Sequence, residues 1–142
     1  MRVMVIGKAT KESEAGIMPK QKGLDDMGKF NEELVRAGML LAFGGLQASS
    51  KGKRVRFVGD KRTVIDGPFT ESKELIAGFM IWQVRSMEEA VEWVRRCPNP
   101  HEGESEVEIR QVFEAEDCGG ELSPEMKKPG QRLRAQIDVK QQ

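Results

Sequence analysis

The apolar positions of this chain change period several times, and each change marks an element. Val3 to Ile6 is a short continuous apolar run closed by Gly7, which predicts a buried opening strand. Residues 8–18, KATKESEAGIM, are polar with one glycine and read as a loop. Pro19 suits a first helical turn, and Leu24, Met27, Phe30, Leu34 and Val35 then recur at helical spacing until Gly38 stops them. Met39 to Phe43 is again continuously apolar and predicts a second strand, broken by Gly44-Gly45 and a polar run from Gln47 to Lys53. Arg54 to Val58 alternates, Val55 and Phe57 against Arg54 and Arg56. Gly59-Asp60-Lys61 turns the chain and Thr63 to Ile65 returns it, a hairpin signal. Ile76 to Val84 is the strongest strand. Ser86 and Glu89 have capping-box spacing before a stripe of Met87, Ala90, Val91 and Val94 that Pro98-Asn99-Pro100 ends. Glu106 to Phe113 alternates once more, with Val107, Ile109 and Phe113 on one face.

Without the hairpin this order is close to a ferredoxin-like β-α-β-β-α-β pattern, an α+β fold whose helices cover one face of the sheet. The other face stays apolar with no third helix in this span to cover it. A second copy of the sheet is the simplest cover, so the pattern predicts a homodimer. Residues 114–142 have a different composition: Gly119-Gly120, two prolines and few apolar groups. The expected division is therefore an α+β domain over 1–114 and a polar tail over 115–142, part helical. Ser123-Pro124 starts its helix, Pro129-Gly130 breaks it, and Leu133 and Ile137 form an apolar edge.

Composition narrows the chemistry. The 142 residues carry 23 basic and 23 acidic side chains, so zero net charge argues against nucleic acid and against an acidic membrane surface. No apolar run approaches the ~20 residues of a membrane span. One His and two Cys leave any zinc site dependent on carboxylates, and there is no Tyr to act as a phenolic acid. The cysteines, Cys97 and Cys118, form no CxxC, and the N-terminus has too short an apolar run for a signal peptide. Both point to a reducing, cytoplasmic setting. Gly44-Gly45 lacks a GxGxxG context, so no cofactor is expected.

The chemistry-bearing stretch is Asp66-Gly67-Pro68-Phe69-Thr70-Glu71-Ser72-Lys73-Glu74. Asp66 ends a strand, where a carboxylate accepts bonds from backbone N–H groups a few residues on. Pro68 fixes the turn and Phe69 can plug an apolar site. Glu71, Lys73 and Glu74 place three ionisable groups within four residues. This segment resembles the DGPFAETKE signature of the YciI-like (YCII-related) proteins. Phe30-Asn31-Glu32-Glu33-Leu34, Gly44-Gly45-Leu46 and Met87 to Pro98 extend the resemblance, which covers about residues 1–114. It implies a bacterial protein with a dimeric α+β barrel of ferredoxin-like protomers, in a family without an assigned reaction. The shorter branch carries a His at the start of the first helix as half of a His-Asp site. Met18 to Asp26 holds no His here, so that role does not carry over.

Two functions follow. One is a cofactor-independent enzyme with Asp66 as acid/base, acting on a small anionic ligand oriented by Lys73 or Arg56 in a cleft. Arg54, Arg56, Phe69, Glu71, Lys73 and Glu74 are its candidate ligand-binding residues. The other is a non-catalytic ligand-sensing dimer. The resemblance links that reading to extracytoplasmic-function sigma factors, beside which such proteins are often encoded. Each residue also has a plainer role: Asp66 as a turn carboxylate, Lys73 with Glu71 or Glu74 as an exposed ion pair, Arg54 and Arg56 as a solvated hairpin face. His101 reads as a surface loop residue, and Cys97, at the negative end of a helix dipole, as a packed thiol.

Overall fold

In the computed structural model the described residues are 1–70, 72–117 and 123–140. The chain divides into two units, Met1–Gln111 and Val112–Gln142.

The first unit opens with strand β1, Arg2–Lys8, whose Val3 and Val5 are buried. A four-residue helix, α1 (Lys11–Glu14), follows in the segment expected to be loop. Thr10 and Ser13 cap it reciprocally: the Thr10 hydroxyl accepts from Ser13 N–H, and the Ser13 hydroxyl accepts from Thr10 N–H. Helix α2, Gln21–Arg36, starts two residues after Pro19 and turns Phe30 and Leu34 into the core. Leu24 and Val35, expected in that stripe, are largely exposed, so the buried face is narrower than the periodicity implied. Strand β2 (Leu40–Gly45), the hairpin strands β3 (Lys53–Val58) and β4 (Lys61–Asp66), and strand β5 (Ile76–Gln83) come next. Helix α3, Met87–Arg95, buries Ala90. The Ser86 hydroxyl caps it by accepting from Glu89 N–H, 3.1 Å away. The Glu89 carboxylate turns to Arg85 instead of closing the capping box, taking its backbone N–H at 2.9 Å and its guanidinium at 3.1 Å. Those bonds hold the Glu89 carboxyl below the usual carboxylate range.

Strand β6 is Val107–Gln111. It stops short of Phe113 because its partner runs out: Val3 pairs with Gln111, and β1 begins one residue earlier. The sheet order is β2-β5-β1-β6 with every pair antiparallel, while β3 and β4 pair only with each other in a separate ribbon. The architecture is α+β and compatible with a ferredoxin-like fold. The core lies where one sheet face meets α2 and α3. Val3, Val5, Trp82 and Val84 pack with Phe30, Leu34 and Ala90, and Phe30 lies 6.2 Å from each of Trp82 and Trp93. Strand alternation sends Met4, Ile6, Phe79 and Ile81 to the opposite face.

In the second unit, helix α4 spans Pro124–Lys140. Ser123 starts it as expected, its carbonyl accepting from Met126 and Lys127. The expected break at Pro129-Gly130 does not occur. Proline there removes one hydrogen bond, to the carbonyl of Glu125, but both residues are exposed and water can serve that oxygen. Met126, Leu133 and Ile137 are exposed along the helix.

Candidate ligand-binding site

The site is built where the hairpin ribbon meets the loop that follows it. The ribbon's register pairs Lys53 with Asp66, Arg54 with Ile65, Val55 with Val64 and Arg56 with Thr63. Cross-strand partners share a face, so Arg54, Arg56, Ile65 and Thr63 lie on one side and Lys53, Asp66, Val55 and Val64 on the other. Asp66, at the strand end, starts from the face opposite the two arginines, yet it lines the same cleft with them. Its carboxylate is held by the Lys53 ammonium at 2.5 Å, with both groups well exposed.

The expected turn role of Asp66 is taken by other groups. Gly67 N–H donates to the Gly52 carbonyl at 3.0 Å, and Phe69 N–H donates to the Ser49 hydroxyl at 3.1 Å. Ser49 lies in a short 3-10 turn, Ser49–Lys51, and its hydroxyl donates in turn to Glu14 of α1 at 2.5 Å. Glu14 also accepts the Ser49 backbone N–H at 3.1 Å. One carboxylate thus fixes Ser49, and Ser49 fixes the loop. The approach is so close that a Cβ on Gly67 would stand 1.8 Å from the Ser49 carbonyl oxygen, which is why only glycine fits. The Gly67-Pro68 peptide is cis.

Phe69 is thereby pinned beside the ribbon. A Cβ on Gly52 would sit 3.6 Å from its ring, and the Arg54 guanidinium lies over that ring, 3.9 Å from the centroid. Arg54, Val55, Arg56, Ile65, Asp66, Pro68, Phe69 and Thr70 line an open cleft of about 510 Å³. That is within the ~300–1,000 Å³ range of small-molecule sites. Of the residues singled out in the sequence, Arg54, Arg56, Asp66 and Phe69 come together here. Lys73 and Glu74 lie exposed on a 3-10 turn, Ser72–Glu74, and are not among the described lining residues. Glu71 lies outside the described residues, as do Cys118 and Gly119-Gly120.

The remaining candidates are placed elsewhere. His101 is half-buried in the loop before β6, where its backbone N–H donates to the Asn99 side chain at 3.0 Å. Cys97 packs against the core, and burial pushes its thiol up to about 11. Among the described residues no three His, Cys, Asp or Glu side chains gather as metal ligands would, and no helix is long and apolar enough to cross a membrane.

Sequence reading missed Glu14 and Ser49. The signal available was the Thr10-x-x-Ser13 spacing, which marks a helix start inside the presumed loop. Nothing local announces that Glu14 reaches 35 residues along the chain.

The geometry defines an α+β sheet domain with an inserted ribbon and the Asp66 to Phe69 loop pinned beside it. The chain matches the YCII-related domain over residues 1–116 and belongs to that family. It is also similar to an uncharacterised protein of Rhizobium meliloti (strain 1021), at 27% identity over 90 residues. The alignment covers 63% of this chain and 73% of that protein.

Proposed function

We propose that this protein is a homodimeric binder of a small organic anion, with the ligand in the cleft beside the β3–β4 ribbon. The observation that carries the reading is the pairing of Arg54 and Arg56 on one ribbon face at that cleft. Among the described residues, neither guanidinium has an ion-pair partner. Arginine forks suit carboxylates and phosphates. Binding is favoured over catalysis because Asp66, the candidate acid/base, is engaged by Lys53. The enzymatic reading draws on Asp66 lining the same cleft and requires Lys53 to release it. For the dimer, the support is the apolar sheet face of Met4, Ile6, Phe79 and Ile81, opposite the helices.

Amide chemical-shift titration with small carboxylates and phosphate tests the binding. Shifts should concentrate at Arg54, Arg56 and Phe69 and vanish in the R54Q/R56Q double variant. Shifts scattered over the sheet, or unchanged in the double variant, would overturn it. A stable monomer at micromolar concentration by sedimentation would remove the dimer.

A further inference from the structure

Resting on the anion-binding reading above, the geometry of the two arginines also assigns a ligand class. Arg54 and Arg56 are two residues apart on one strand, so their side chains leave the same face roughly 7 Å apart along it. Their surroundings differ. Arg56 stands across from Thr63, a hydroxyl-bearing neighbour, while Arg54 stands across from Ile65 and lies on the Phe69 ring. A guanidinium stacked on a ring has one planar face covered. Its N–H groups radiate in the plane, and its second face is free to take another π surface. Ile65 and Pro68 line the cleft with Arg54 and Phe69, and the Arg56 fork has no ion-pair partner among the described residues; the Asp66 carboxylate, which also lines the cleft, is engaged by Lys53.

We propose that the cleft takes a planar aromatic or conjugated carboxylate. The ring stacks on the exposed face of the Arg54 guanidinium, extending the Phe69–Arg54 stack by one layer. The carboxylate is received by the Arg56 fork. Arg54 acts as a platform and Arg56 as the charge partner. A cleft of about 510 Å³ accommodates one ring or two fused rings.

The test titrates the full chain with benzoate, cyclohexanecarboxylate, acetate and inorganic phosphate at low ionic strength, read by amide shifts. Benzoate should bind about threefold or more tightly than cyclohexanecarboxylate, the increment a stacked cation provides at an exposed site. Acetate and phosphate should be weaker still. Arg54→Lys keeps the charge and removes the plane, so it should abolish the preference for benzoate over cyclohexanecarboxylate. Phe69→Leu should act in the same direction, and Arg56→Gln should weaken every carboxylate. Far-ultraviolet circular dichroism checks that each variant is folded, and both arginines are exposed enough for that to be the expected result. Equal binding of benzoate and cyclohexanecarboxylate, or tightest binding of phosphate, would overturn the aromatic class and leave the anion site standing. Binding of none of the four would overturn both.

Discussion

The four-stranded sheet and the two-stranded ribbon are made from the same kinds of residue and are held by opposite means. In the sheet, Val3, Val5 and Trp82 are nearly or fully shielded from water. In the ribbon, Val55, Phe57, Val58 and Val64 are 50–69% exposed. A lone two-stranded ribbon is marginal in water. Here its base is secured by polar contacts: Lys53 to Asp66, Gly67 to Gly52, Phe69 to Ser49, and Ser49 to Glu14. Apolar burial fixes the platform, and a chain of hydrogen bonds fixes the cleft. The two should therefore fail separately, and the mutations that unfold one should spare the other.

Trp82→Ala should have the largest effect. Trp82 is fully buried between Phe30 and the rest of the core, and such truncations cost about 3–5 kcal/mol. Chemical denaturation should show the loss as a lower midpoint for the whole sheet domain. A loss below 1 kcal/mol would mean that the core has another centre.

Gly67→Ala should come next and act locally. The new Cβ cannot coexist with the Ser49 carbonyl at 1.8 Å, so the loop must move and carry Phe69 off the Arg54 guanidinium. The expected cost is about 2 kcal/mol, in the usual range for a strained site. Amide signals of β3, β4 and the Ser49 turn should shift, and those of β1 and α3 should hold. Equal shifts throughout would deny the separation of the two regions.

What was legible in the sequence divides along the same line. α2 and α3 announce themselves because one buried face imposes a helical period on each, and β1 and β5 because they are apolar runs closed by glycine or polar residues. The ribbon was legible through the alternation of Arg54, Val55, Arg56 and Phe57 and the turn at Gly59, although neither of its faces is buried. Its supports were not. Four polar residues, Lys11–Glu14, impose no apolar period, and the Glu14–Ser49 bond joins positions that no local pattern relates. The DGPF segment stood out as unusual, yet the purpose of its glycine depends on a carbonyl 18 residues earlier. Helix α4 was under-read for a different reason. Proline is a breaker by local rule, but an exposed helix tolerates one missing bond that a buried helix would not.

Cys97 gives a smaller, pH-dependent effect on the platform alone. Burial raises its thiol from 9.0 to about 11 in the folded state. The folded protein thus resists ionisation that the unfolded chain permits. Its contribution is fully present below pH 9 and is lost as pH rises through about 11. Partial exposure limits the swing to about 1 kcal/mol. Denaturation of the natural chain and of Cys97→Ala at pH 8 and pH 10.5 should show the difference between them shrink at the higher pH. Iodoacetamide should alkylate Cys97 slowly at pH 8. Rapid alkylation of the folded chain would contradict the packing.

Asp66 should give the smallest stability change, and its pattern decides what the carboxylate is for. A turn carboxylate that satisfied backbone donors would tolerate Asn, which keeps an acceptor, and suffer from Ala, which strands the donors at about 1–3 kcal/mol. The donors in question are already served, Gly67 N–H by the Gly52 carbonyl and Phe69 N–H by the Ser49 hydroxyl. What Asp66 holds is Lys53, in a well-exposed pair of the kind worth about 0–1 kcal/mol and weakened by salt. Asp66→Asn and Asp66→Ala should therefore cost the same small amount, and 0.5 M salt should erase it. Lys53→Met should match them, since it removes the same pair from the other side. A clear excess for Ala over Asn would return Asp66 to the turn. A loss of ligand binding in both variants, with stability unchanged, would move it from the ribbon's base into the site.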